Sequence, residues 1–236
     1  MSPAPPPPPL RGGPPPPLSR GRISRPHPRL YLVTPTLDDT AAFVRDLDAV
    51  LGAADIAAVL LRLADADERA LVNRAKAVAA AVQRRDIALL LDGRAELVGR
   101  AGADGAHLTG IEALSAALPS LKPERIAGAG GLRSRHDAML AGESGADYVL
   151  FGEPDRRGNR PQLGAVEDRV KWWADLVEVP CIGYAGSADE VPVLAQAGAD
   201  FVALGDWIWT EGATAAVAAV AAAMQGLAEP APGSVR

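Results

Sequence analysis

The chain has 236 residues, 48% of them hydrophobic and 22% charged, with only 4% aromatic. That length carries one sizeable core, which must be built from Val, Leu, Ile and Ala because rings are scarce. The formal charge of −5 hides a basic start: residues 1–29 hold Arg11, Arg20, Arg22, Arg25 and Arg29 and no acid, so the other 19 basic and 29 acidic residues leave the body at −10. An acidic body argues against nucleic acid as the main ligand. No stretch reaches the roughly 18–20 apolar residues of a membrane helix, so no membrane partner is expected. A secretory signal is not expected either, since prolines fill the place of its apolar region. One cysteine, Cys181, rules out an internal disulfide framework and fits a reducing, cytoplasmic setting.

In chain order, residues 1–28 come first, with proline runs from Pro5 to Pro9 and from Pro14 to Pro17. Proline lacks an amide donor and fixes φ, so this segment reads as a disordered tail sampling polyproline II. It is either a ligand for a proline-binding module, a basic tether, or a solvated tail without a task. The texture then changes to short apolar runs, read as strands over Leu30–Thr34, Ala57–Leu61, Ile87–Leu91, Gly105–Leu108, Ile126–Gly128, Asp147–Phe151, Pro180–Tyr184 and Phe201–Leu204. Between them lie amphipathic segments such as Asp38–Leu51, Glu68–Arg84 and Ala165–Val177. Strands alternating with segments of helical period indicate βαβ units and a parallel sheet. Eight such units in this length fit a closed (β/α)8 barrel over residues 29–227, followed by a flexible C-terminal tail over 228–236.

An internal repeat supports the barrel. Residues 101–106, 144–149 and 197–202 share the pattern small-Gly-Ala-Asp followed by strand residues. Glycine takes the left-handed conformation that ends a helix, so each copy closes a helix and opens a strand.

Active sites of such barrels are built from loops at the C-terminal strand ends. Gly183-Tyr184-Ala185-Gly186-Ser187 follows the seventh strand and precedes a helix with Asp189 and Glu190 in its first turn; Leu204-Gly205-Asp206 follows the eighth. Loops in these two places, with amides beside a helix N-terminus, form the usual phosphate site of the fold. The other reading is that Gly183, Gly186 and Gly205 only relieve crowding in tight turns. Arg62, directly after the second strand, points into the mouth as an anion partner. Asp92 and Glu112, at the mouths of strands three and four, can share a divalent cation through oxygen ligands, or Asp92 can simply pair with Arg94. His107 alternates with Ala106 and Leu108, so it can face the barrel interior, as a hydrogen-bonded core residue or as a catalyst. Of the adjacent Trp172 and Trp173, only one can face the core, because successive helical side chains diverge by about 100°. Trp207 and Trp209 either close over a heteroaromatic ligand or pack the barrel end.

Leu30-Tyr-Leu-Val-Thr34, Leu60-Leu-Arg62, Leu91-Asp-Gly-Arg94, Ala103-Asp-Gly-Ala-His-Leu108, Gly145-Ala-Asp-Tyr-Val-Leu-Phe-Gly152 and Ala197-Gly-Ala-Asp-Phe-Val-Ala-Leu204 run in order over about residues 30–225. Together they resemble the thiamine phosphate synthase and thiazole tautomerase superfamily. The resemblance implies a barrel that joins a pyrimidine pyrophosphate to a thiazole phosphate with release of pyrophosphate and with Mg2+ as cofactor. It implies Arg62 as pyrophosphate ligand and Glu112, standing where an aspartate is expected, as a metal ligand beside the Asp92 already read at the mouth of strand three. Thr34, Gly131, Gly152, Glu153, Gly183, Tyr184, Gly186, Leu204 and Gly205 are implied around the substrates. A homodimer is compatible with it. Departures are visible: Ala64 stands where a lysine is expected, Asp92-Gly93 replaces an Asn-Asp pair, and Glu153-Pro-Asp-Arg-Arg-Gly-Asn-Arg160 replaces a threonine-rich loop ending in lysine. Arg156, Arg157 and Arg160 are the candidates for supplying that positive charge. The Asp-Gly-Arg run is closer to the tautomerase branch, whose proton-carrying histidine is absent, Arg133 being nearest to its place. Three functions therefore remain in view: the transferase, with Arg62, Arg133 and His107 as catalytic candidates; a tautomerase-type isomerase using His107; and a non-catalytic barrel that binds a thiamine precursor.

Overall fold

Eight apolar runs of parallel-strand type have one way to hide every edge, which is to close on themselves. In the computed structural model, which describes residues 28–209 and 212–226, they do so. The strands are β1 (Arg29–Leu37), β2 (Ile56–Leu63), β3 (Ala88–Asp92), β4 (Gly105–Thr109), β5 (Ile126–Gly130), β6 (Tyr148–Phe151), β7 (Cys181–Ala185) and β8 (Phe201–Leu204). They form a closed barrel in sequence order, and β1 meets β8 in parallel register from Arg29 opposite Phe201 to Leu32 opposite Leu204. Helices α1 (Ala41–Leu51), α2 (Glu68–Gln83), α3 (Val98–Ala101), α4 (Ile111–Leu121), α5 (Arg135–Ser144), α6 (Leu163–Leu176), α7 (Glu190–Gln196) and α8 (Ala213–Gly226) follow the strands in turn. The expected (β/α)8 barrel is therefore what the chain adopts. The readings of residues 1–27 and 227–236 as tails lie outside the described residues.

The repeated corner works as expected and does more besides. Gly102, Gly145 and Gly198 all have φ between +70° and +100°, ending α3, α5 and α7 in the left-handed conformation. The aspartate two residues later then caps the neighbouring strand. Asp104 accepts from the Leu89 N–H, Asp147 from the Ala127 N–H and Asp200 from the Cys181 N–H, at 2.7–2.9 Å. Each satisfies an amide at the start of an interior strand that would otherwise lack a partner.

Strand alternation sorts the apolar residues into two layers. Leu30, Leu32, Val59, Leu61, Leu89, Leu91, Val149, Phe151, Val202 and Leu204 face the helices. Tyr31, Val33, Ala58, Leu60, Leu90, Tyr148, Leu150, Ile182, Tyr184 and Ala203 fill the barrel. Three tyrosines in so small an interior need bare backbone opposite them. A Cβ on Gly128 would lie 1.9 Å from the Tyr148 ring, and one on Gly205 would lie 1.8 Å from the Tyr184 hydroxyl.

The tryptophans settle into structural roles. Trp173 is fully buried and its indole N–H donates to the Val179 carbonyl, whereas Trp172 lies half-buried under the Arg135 guanidinium. The indole N–H of Trp207 donates to the Ala185 carbonyl and that of Trp209 to the Val33 carbonyl. Both therefore staple strand ends, and the barrel-packing reading of this pair holds.

Candidate active site

The mouth is set by parity. Arg62 lies two residues after inward-facing Leu60, Asp92 two after Leu90, and Gly130 two after Gly128, so all three continue the interior face beyond the packed core. Arg62 is anchored from below. The buried Thr34 hydroxyl accepts the Arg62 backbone N–H at 3.0 Å and donates to the Pro35 carbonyl at 2.9 Å. Thr34 thus acts through the backbone that carries Arg62. The guanidinium sits between Asp92, 3.3 Å away, and Asp206, 3.5 Å away, with 18% of its side chain exposed. Both contacts are long for charge-assisted bonds, so the cation is held in place with donor capacity to spare. Arg94 pairs with Asp65, which leaves Arg62 as the ion-pair partner of Asp92.

Beneath this lies a polar chain that crosses the barrel. The Tyr31 and Tyr148 hydroxyls are 2.9 Å apart, Tyr148 Oη is 3.0 Å from His107 Nδ1, and His107 Nε2 is 3.0 Å from Glu153 Oε2. His107 does face the interior; it is 1% exposed and stacks on the Tyr148 ring. With a neutral imidazole the bonds run one way: Tyr31 donates to Tyr148, Tyr148 to Nδ1, and Nε2–H to Glu153. With an imidazolium, Nδ1–H donates to Tyr148 instead, and Tyr148 then donates to Tyr31. Burial alone pushes His107 down, but the Glu153 carboxylate beside it prevails and the imidazole titrates above its ordinary value. Burial likewise pushes Glu153 up, while His107, the Gly131 amide and Arg62 pull it down further, so the carboxyl stays ionised. Burial drives Tyr31 and Tyr148 far above the ordinary phenol range, so both keep their protons. The pair has room only because residue 130 is glycine: a Cβ there would lie 2.2 Å from Glu153 Oε1 and 2.5 Å from His107 Nε2.

The loop after β6 divides its arginines. Asp155 nucleates a tight turn, accepting from the Arg157 and Asn159 N–H groups, which leaves Arg156 and Arg157 exposed. Arg160 turns inward. Its two terminal nitrogens bind both oxygens of Glu190 at 2.7 Å, and one also donates to the Tyr184 carbonyl at 3.2 Å. Glu190 in turn accepts the Gly186 N–H at 2.7 Å. The amide read from sequence as open for phosphate is thus engaged by the first acidic residue of α7, and a Cβ at Gly186 would lie 2.0 Å from the Arg160 guanidinium. The loop holds an anion, and that anion is the protein's own carboxylate. Gly183 packs outward against Leu194, which matches the crowding reading, and the Leu204 side chain also faces the helices. Gly152 has φ +95° and turns the chain out of β6 toward Glu153.

Arg133 is exposed after β5, close enough to Asp155 to help hold its carboxyl down. Glu112 is exposed in the first turn of α4. Among the described residues no three His, Cys, Asp or Glu side chains gather around one point. Mg2+ is commonly held by one or two carboxylates plus substrate phosphates rather than by a protein cage, and Asp92, at the mouth beside Arg62, is a donor of that type. No helix among the described residues is long and apolar enough to cross a membrane.

Sequence reasoning placed His107 and Arg62 correctly at the interior and the mouth. It missed Tyr31 and Tyr148 as partners, and Glu190 as the anion on the seventh loop. Glu190 had a signal, an acid four residues after a loop glycine.

An eight-stranded parallel barrel with a helix after each strand defines the (β/α)8 class, whose sites lie at the C-terminal strand ends, where Arg62 stands. The sequence profile described as thiamine monophosphate synthase matches residues 30–208. The thiamine-phosphate synthase of Rhodospirillum centenum is 39% identical over 208 residues, covering 84% of this chain and 98% of that protein. That of Hyphomonas neptunium is 36% identical over 217 residues, with 86% and 97% covered. Thiamine phosphate pyrophosphorylase from Pyrococcus furiosus superposes with a TM-score of 0.71 at 20% identity over 84% of this chain and 96% of its own, a likeness of fold. The chain belongs to the thiamine monophosphate synthase family.

Proposed function

We propose that this protein is a thiamine phosphate synthase-type transferase. The carrying observation is Arg62, an anchored guanidinium with spare donors at the inward-facing mouth of a barrel that matches named synthases over nearly their whole length. In the reaction, the bond between the pyrimidine methylene carbon and the pyrophosphate oxygen breaks, and the pyrophosphate leaves with the electron pair. The thiazole nitrogen gives its lone pair to the same carbon. No proton need move, so the protein's task is to stabilise the departing charge and align the two rings. Arg62 binds the pyrophosphate, and Thr34 fixes where Arg62 stands. Asp92 and Glu112 would hold Mg2+ brought with the pyrophosphate; bound there, the ion neutralises leaving-group charge.

The thiazole phosphate takes the loop at 183–187 with Leu204 and Gly205, competing with Glu190 for Arg160 and the Gly186 N–H. Arg156, Arg157 and Arg133 rim the mouth, with Gly131 and Gly152 shaping it and Tyr184 forming its floor beside Gly205. His107 acts by holding Glu153. This reading is favoured over a His107 proton shuttle because both imidazole nitrogens are already engaged. The protein is expected to be cytoplasmic, and a homodimer is compatible with the family.

The test is turnover by the full chain given pyrimidine pyrophosphate and thiazole phosphate, with and without Mg2+. Mg2+-dependent formation of thiamine phosphate is the expected result. Thiazole phosphate binding without turnover would leave the non-catalytic reading, and conversion of a thiazole tautomer alone would leave the isomerase.

A further inference from the structure

We infer that Glu153 Oε1 is a ligand acceptor that selects an exocyclic amine on the ring entering the barrel. The carboxylate is split in function. Oε2 is bound by His107 at 3.0 Å, while Oε1 is buried with no hydrogen-bond partner. An ionised oxygen left unpaired away from water is costly, and native structures keep few such atoms without a reason. The space for Oε1 is left by Gly130, where a Cβ would lie 2.2 Å from it. The Gly131 amide is directed at the same carboxyl and helps keep it charged.

The direction of selection follows from the chemistry of the group. An ionised carboxylate only accepts, so it welcomes an N–H and repels a ring carbonyl or a bare ring nitrogen. The His107–Tyr148–Tyr31 chain holds Glu153 in one orientation from below, so the acceptor is fixed before any ligand arrives. Arg62 lies at the same mouth, close enough to act on the Glu153 carboxyl. A ligand with an amino-substituted ring at one end and a pyrophosphate at the other matches that pair. On the transferase reading, from which this inference takes the identity of the ring, that ligand is the aminopyrimidine pyrophosphate.

The experiment is calorimetric titration of the full chain with aminopyrimidine pyrophosphate and with the same compound carrying hydrogen in place of the exocyclic amine. Wild type is expected to bind the amine about 10- to 100-fold more tightly, the range of a hydrogen bond to a charged group. Glu153→Ala should bind both compounds alike, at the wild-type affinity for the compound without the amine. Glu153→Gln, which keeps an amide oxygen, should retain part of the discrimination. Equal binding of the two compounds by wild type overturns the inference, as does discrimination that survives in Glu153→Ala. The wild-type comparison needs no variant, so a misfolded mutant does not protect the idea. Turnover separates it from the reading beneath it: discrimination in binding without any thiamine phosphate formed sinks the transferase and leaves the amine site standing. Thiamine-type product formed equally well from both pyrimidines sinks the amine site and leaves the transferase.

Discussion

Replacing Tyr148 by Phe removes one oxygen that serves two buried partners. Tyr148 Oη lies 2.9 Å from Tyr31 Oη and 3.0 Å from His107 Nδ1, and all three residues are essentially inaccessible. The variant strands a phenol and an imidazole nitrogen at once. Leaving a buried polar group unsatisfied costs about 1–3 kcal/mol, so Tyr148→Phe should lose about 3 kcal/mol. At about 2–4 °C per kcal/mol for a domain of this size, that lowers Tm by roughly 6–12 °C. Tyr31→Phe removes only the far end of the chain. Tyr148 can still donate to Nδ1, so the loss should be near 1 kcal/mol, the net worth of one ordinary hydrogen bond. The double variant removes the stranded Tyr31 hydroxyl as well, and should cost less than the two single changes added together. Urea titrations of the four proteins measure the free-energy differences, and thermal melts the Tm shift. Equal losses from the two single variants, or a double variant at or above their sum, would refute a connected chain.

The His107–Glu153 pair fixes a pH signature. Glu153 is lowered from 4.5, so its contribution is present above 4.5 and is lost as pH falls through its folded value. His107 is raised from 6.5, so its contribution is complete below 6.5 and is lost as pH rises through its folded value. The stability advantage of wild type over Glu153→Gln should therefore peak between about pH 4.5 and 6.5 and shrink on both sides; an advantage that keeps rising above pH 8 would contradict the assignment. Gly186→Ala places a methyl on the Arg160 guanidinium, so KM for thiazole phosphate should rise about tenfold or more while KM for the pyrimidine partner stays within about twofold; equal effects on both would move the phosphate elsewhere. Glu190→Gln should weaken the Arg160 pair and remove a competing anion, so thiazole phosphate should bind more tightly at low salt, as titration calorimetry would report.

The barrel was legible because its signals are local. Every strand read from sequence overlaps the observed one, and the three Gly-Ala-Asp corners lie where left-handed helix ends are needed. Parity carried His107 and Arg62 to the right face for the same reason. The relay was not legible: its members are 117, 41 and 46 residues apart along the chain, and only closure of the barrel decides which inward side chains meet. Charge type also proved a weaker guide than local turn geometry. Arg156, Arg157 and Arg160 look alike in the sequence, yet the Asp155 turn sends two outward and the third onto Glu190. The loop glycines stayed ambiguous because an open amide and a crowded one need the same residue. Only the position of Arg160 and of the Tyr184 hydroxyl shows what occupies the space beside Gly186 and Gly205.

The claim on which the account turns is that an anchored Arg62 at the barrel mouth drives departure of pyrophosphate. Pyrophosphate release should be timed for wild type and Arg62→Ala at saturating pyrimidine pyrophosphate, thiazole phosphate and Mg2+. Release by wild type is expected only when both substrates are present, and at a rate about 100- to 1,000-fold lower in the variant, the usual loss when one preorganised charge-stabilising donor is removed. Release at the wild-type rate by Arg62→Ala would contradict it.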